Sequence, residues 1–141
     1  MNRRWRFLIL PVITLALEIL PWGAVCNFAN PDGEPWRRTF SYFDPTPFGY
    51  ANFAPFLTAI VTCAVVISLL VYAIADRPRA KTVATALLCA GLVLSLCPLL
   101  SGINYFSLVG ALITVTLFAE LVLLLIPFKR SKSIDGNETS I

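Results

Sequence analysis

The sequence predicts an all-α integral membrane protein: a four-transmembrane-helix bundle with both termini cytoplasmic and an aromatic-rich outer loop between the first two helices. Three observations predict it. First, of 141 residues 57% are hydrophobic and only 13% charged, with mean hydropathy +0.78, whereas a water-facing domain carries about 25% charged residues. Second, the charges cluster at the ends of long uncharged runs. Third, a single orientation puts Arg3, Arg4, Arg6, Arg77, Arg79, Lys81, Lys129, Arg130 and Lys132 on one side and only Arg37 and Arg38 on the other. Lys and Arg concentrate on the cytoplasmic face of membrane proteins, so the first group is expected inside.

The first expected span is 7–25. At about 19 residues it just crosses a hydrocarbon core about 30 Å thick. A cleaved signal peptide fits less well, because Glu18 interrupts the apolar centre and bulky Val25 precedes Cys26. The second span, 53–75, is uncharged. Asp76 to Lys81 then reads as a tight polar connector, with Pro78 opposing a continuous helix. The uncharged stretch from Thr82 to Ala119 is too long for one crossing. Pro98, Ser101, Gly102 and Asn104 supply turn chemistry inside it. It therefore divides into spans 83–100 and 105–128. The expected single domain is 1–128, and 129–141 is expected to be a flexible cytoplasmic tail. The Asn137-Glu138-Thr139 sequon falls on the cytoplasmic side in this topology and is discounted.

The outer loop, 26–52, is what generic membrane chemistry does not explain. Asn30-Pro31-Asp32-Gly33 and Asp44-Pro45-Thr46-Pro47-Phe48-Gly49 are turn sequences. Between and around them stand Phe28, Trp36, Phe40, Tyr42, Phe43, Phe48 and Tyr50. These rings suit the headgroup zone, a lid over the bundle, or a docking surface. Trp36, Arg37 and Arg38 together form the candidate interaction patch. A structural cap, with the two arginines paired to Asp32, Glu34 or Asp44, is the plainer expectation.

Inside the spans, Glu18 and Glu120 are the candidate functional acids. An ionised carboxylate facing lipid costs several kcal/mol, so both are expected to face the interior. Counting from the inner span edges puts Glu18 about 16 Å deep and Glu120 about 12 Å deep, so the two carboxyls are expected at similar depth and could share a proton. Thr14, Thr58, Thr62 and Thr116 are candidate polar lining residues. Small residues at near-helical spacing form two stripes on the third span: Thr82, Ala86 and Ala90, and Ala84, Gly91 and Ser95. Such residues let helix backbones approach.

Of the four cysteines, Cys26 and Cys97 fall near the outer face and could form a disulfide. None of the four is in CxxC spacing. The chain has no histidine, which removes the commonest metal ligand and general base. No metal site or cofactor is expected. It also has no P-loop, GxGxxG, HExxH or GxSxG, so no enzyme is expected. The basic residues are dispersed, which argues against nucleic acid. A Glu within the first span resembles the small four-span multidrug exporters, but their connectors are short and this first loop is long. No family is assigned on that basis.

The expected role is a small structural or interaction subunit whose partners are the lipid bilayer and another membrane protein or a second copy. The alternative is a proton- or cation-coupled small transporter using Glu18 and Glu120. A bacterial cytoplasmic membrane fits the size and the terse connectors.

Overall fold

The computed structural model describes residues 3–31, 33–34, 36–49 and 52–126. The tail, its sequon, Asp32, Tyr50 and the basic cluster at 129–132 lie outside the described residues. The protein is mostly helical (72%). It has three helices long and apolar enough to cross a membrane: Ala54–Ala75, Pro78–Leu100 and Leu108–Leu125.

The first helical stretch departs from expectation. A 3₁₀ segment, Arg3–Leu8, leads into helix α1, Ile9–Ile19. The apolar run continues to Val25, but the helix stops at Ile19. Pro21 is the cause, since a residue before proline avoids the helical region. Leu20 accordingly has φ −63° and ψ 137°. Ala24 and Val25 belong instead to strand β1, Ala24–Phe28, which pairs antiparallel with β2, Trp36–Phe40. The loop expected as turns and rings is therefore built on a hairpin. A short helix, α2 (Thr46–Gly49), follows.

Helix α3 (Ala54–Ala75) ends on Asp76, which adopts φ +52°. Asp tolerates this left-handed conformation better than most residues. Helix α4 spans Pro78–Leu100, so Pro78, Arg79, Ala80 and Lys81 are its first turn and not a connector. Proline suits that place because the first helical N–H groups have no intrahelical partner. The turn starts at Ser101, where the expected third span ends, although the helix carries the turn-forming Pro98 inside it. Gly102, at φ +120°, then turns the chain into a 3₁₀ turn, Ile103–Tyr105. Helix α5 is Leu108–Leu125, so Tyr105 lies in the turn before it.

Helix α1 packs against α3 and α5, and α4 packs against the same two. The buried core includes Leu8, Ala59, Val65, Leu69, Ala84, Leu88, Ile113, Leu117 and Leu124. Of the two small-residue stripes on α4, Ala84, Gly91 and Ser95 face inward, whereas Thr82, Ala86 and Ala90 are exposed. A Cβ on Gly91 would sit 3.3 Å from Val61, so glycine sets the approach of α3 and α4.

Candidate functional site

Both candidate acids are buried: Glu18 is 0% and Glu120 1% exposed. They do not form a pair. The Thr14 hydroxyl hydrogen-bonds the Thr116 hydroxyl at 2.9 Å, and the Ser107 hydroxyl donates to the Gly23 carbonyl. Both contacts fix one antiparallel register between α1 and α5. Glu18 lies four residues from Thr14 toward the hairpin, and Glu120 four residues from Thr116 the other way. At 1.5 Å per residue they are separated by about 12 Å along the axis. The expectation of equal depth is corrected for a simple reason. Counting from span edges aligns Phe7 with Phe128, whereas the contacts align it with Leu123.

The surroundings of the two acids also differ. The Thr62 hydroxyl donates to Glu18 Oε1 at 2.7 Å. It also lies 3.0 Å from the Thr58 carbonyl, one turn back on α3. The Thr58 hydroxyl in turn donates to the Ala54 carbonyl at 2.8 Å. Glu18 is thus tied across to α3, while its Oε2 is buried without a partner. Both carboxyl oxygens of Glu120 are buried without a partner. Thr14, Thr58 and Thr62 are fully buried and Thr116 partly so. The four threonines do face the interior, but each also bonds a carbonyl of its own helix. Thr14 with Thr116, and Thr62 with Glu18, also link neighbouring helices, whereas Thr58 bonds only its own helix.

The hairpin end is closed by residues the sequence reading did not single out. The Tyr42 N–H and the Ser41 hydroxyl both donate to the Glu18 carbonyl, each at 2.9 Å. These bonds occupy a carbonyl that the end of α1 leaves free. The Tyr42 side chain is 2% exposed. A Cβ on Gly23 would lie 2.8 Å from its ring, and one on Gly110 3.2 Å from its hydroxyl. Both glycines thereby make room for Tyr42. Burial, and then the nearby Glu18, push the Tyr42 phenol above its ordinary range. Ser107 caps α5 by accepting from the Gly110 N–H at 2.8 Å. The Thr114 hydroxyl bonds Ser95 at 3.1 Å, linking α5 to α4. Small residues on spans hint at these contacts. Nothing in the sequence distinguishes Tyr42 from the other rings of the loop.

The hairpin splits the patch expected at Trp36, Arg37 and Arg38. Neighbouring strand residues point to opposite faces. Trp36 and Arg38 share one face, where the Arg38 guanidinium lies 4.4 Å from the Trp36 ring centroid. Arg37 is on the other face, opposite Asn27 of β1 in the pairing register. There it lines an open cleft of about 520 Å³ with Asn27, Ala29, Glu34, Asn104 and Tyr105. A second cleft, of about 350 Å³, adjoins through Ala29 and Glu34 and reaches Asn30 and Trp36.

The possible Cys26–Cys97 disulfide is not seen in the structure, where all four cysteines are free. Cys26 is buried in β1, and the Cys97 thiol hydrogen-bonds the Val93 carbonyl of its own helix at 3.4 Å. Burial, with the Asp44 charge adding to it, pushes the Cys26 thiol above its usual range. Among the described residues no three His, Cys, Asp or Glu side chains gather where they could hold a metal ion. No protein-family model matches the chain, and neither a curated protein nor a solved structure matches it.

Proposed function

We propose that the chain is a small membrane-embedded interaction protein whose working surface is the hairpin. The observation that carries this reading is the contrast between the two ends of the Tyr42 contact. Below it, side chains are packed and cross-bonded. Above it, four of the five residues of β2 are exposed, including Trp36 at 59%. An exposed Trp stacked with Arg is the kind of anchor that protein interfaces favour. The partner in this reading is an acidic segment of another membrane protein, or a second copy of the chain, meeting Trp36 and Arg38.

In this reading four segments cross the bilayer. The 3₁₀ segment has six residues and α1 eleven. Past Arg6, Phe7 and Leu8 with α1 reach about 20 Å at about 2.0 and 1.5 Å per residue, and the apolar stretch from Leu20 to Gly23 extends the segment toward a full hydrocarbon core. Both termini are then cytoplasmic, with Arg6, Arg77, Arg79 and Lys81 on that side and the hairpin outside. A bacterial cytoplasmic membrane is the proposed location. Photo-crosslinking from position 36 in intact membranes tests the reading. A discrete adduct that disappears with Arg38→Gln is expected. A chain that gives no adduct and purifies alone as a monomer would refute it.

A second reading, coupled transport of protons or cations, rests on the three buried carboxyl oxygens without partners. Reconstituted flux driven by a pH gradient, compared with Glu18→Gln and Glu120→Gln, tests it. Unchanged flux in both variants sinks it.

A further inference from the structure

We infer that the cleft on the Arg37 face of the hairpin is a binding site for a zwitterionic phosphate ester, one carrying an ammonium group close to its phosphate, as in the headgroup of an ethanolamine phospholipid. The site is distinct from the Trp36–Arg38 face, so it does not rest on the partner proposed above.

The walls of the cleft come from two places in the chain. Asn27 and Arg37 are cross-strand neighbours on one face of the hairpin. Asn104 and Tyr105 come from the 3₁₀ turn between α4 and α5, which packs against β1. Gly102 makes that turn available, because its φ of +120° is a conformation that side chains other than glycine rarely adopt. Glu34, beyond the end of β1, completes the lining.

The chemistry of the lining is mixed in sign and rich in donors. The Arg37 guanidinium suits a phosphate, which it can hold through two parallel N–H bonds. The amides of Asn27 and Asn104 and the Tyr105 hydroxyl can donate to the remaining phosphate oxygens. The Glu34 carboxylate offers the opposite charge for an ammonium. A purely anionic phosphate would meet Glu34 as a repelling charge, so the cleft favours the zwitterion over an anion.

Position selects a membrane source for this ligand. Helices α4 and α5 are apolar crossing segments of 23 and 18 residues, and the 3₁₀ turn joins them. It therefore stands at the level of the headgroups, where a tyrosine such as Tyr105 is favoured. The apolar side chains around it are among the most exposed: Leu100 at 89%, Ile103 at 83% and Leu108 at 80%. They give acyl chains a surface directly beside the polar cleft.

Native mass spectrometry of the full chain, purified in detergent, tests the site with three probes: phosphatidylethanolamine, phosphatidylglycerol and diacylglycerol. Phosphatidylethanolamine should be retained preferentially. Arg37→Gln should weaken its retention by about tenfold or more, through loss of the charge-assisted guanidinium contact. Glu34→Gln should erase the preference over phosphatidylglycerol, and Arg38→Gln should change neither. Asn104→Asp, at an exposed position, should repel the phosphate without disturbing the hairpin, which covers the case in which Arg37→Gln folds poorly. Equal retention of all three probes, or retention indifferent to both Arg37→Gln and Asn104→Asp, overturns the proposal. Competition with glycerophosphoethanolamine separates the sources. Displacement at concentrations similar to the lipid's keeps the chemistry of the site and assigns it a soluble ligand. Failure to displace assigns it the lipid.

Discussion

Glu18 and Glu120 are the same residue, equally buried, on neighbouring helices, yet their surroundings are opposite. Glu18 sits in the hairpin half, where its side chain is bonded by Thr62 and its carbonyl by Tyr42 and Ser41. Glu120 sits in the other half, where both carboxyl oxygens lack a partner. The difference teaches that burial alone does not define a site. A buried acid that bonds a neighbouring helix helps hold the helices together, and one without partners weakens them unless something else solvates it.

That contrast can be broken in several ways. The largest effect is expected at Tyr42. Tyr42→Ala should cost about 3–5 kcal/mol, as for other buried aromatic truncations, and Tyr42→Phe far less. Unfolding in detergent measures both, and a small loss for Tyr42→Ala would mean that the hairpin does not close this end. Gly23→Ala should cost about 1–3 kcal/mol by crowding the ring. Combined with Tyr42→Ala, it should add much less than it does alone.

Glu120→Leu should stabilise the fold by about 1–3 kcal/mol, because it removes two buried oxygens without partners. Glu18→Leu should gain less, because it also removes the Thr62 bond. Equal gains would show that the two halves do not differ. Thr14→Val should cost about 0.6 kcal/mol, the usual worth of one hydrogen bond between membrane helices.

The smallest effect concerns acid. Hydrogen bonds from Thr46 hold the Asp44 carboxyl below its ordinary range, one of them from the Thr46 N–H at 2.8 Å. A lowered folded-state pKa adds stability above the ordinary carboxylate range, and that stability is lost as pH falls through the folded value. Asp44→Asn should therefore loosen the loop near neutral pH, with the difference from the parent shrinking below about pH 4. Hydrogen exchange at residues 44–48 would read it, and a difference that grows on acidification would contradict the assignment.

Much of this was legible in the residues. Uncharged runs identify α3, α4 and α5, because apolar side chains in such numbers have no stable place in water. Glu18, Thr14, Thr58 and Thr62 were legible as interior residues, since polar groups on spans avoid lipid. The hairpin was not legible. Val25 and Cys26 extend an apolar run, and only the pairing with Thr39 and Arg38 makes them strand. Nor could the split of Arg37 from Arg38 be read until a period of two applied to that stretch. The closure by Tyr42 depends on Gly23 and Gly110, which are 87 positions apart in the chain.

By itself, then, the sequence determined that the chain belongs in a membrane, roughly where three of its helices run, and which acids turn inward. Those properties follow from local hydrophobicity and charge. Only the tertiary structure decided the register of α1 against α5, which separates Glu18 from Glu120. It also decided which face of the hairpin each arginine occupies. Register and facing depend on contacts between residues far apart in the chain, such as Thr14 with Thr116 and Gly23 with Ser107, and no local pattern encodes them.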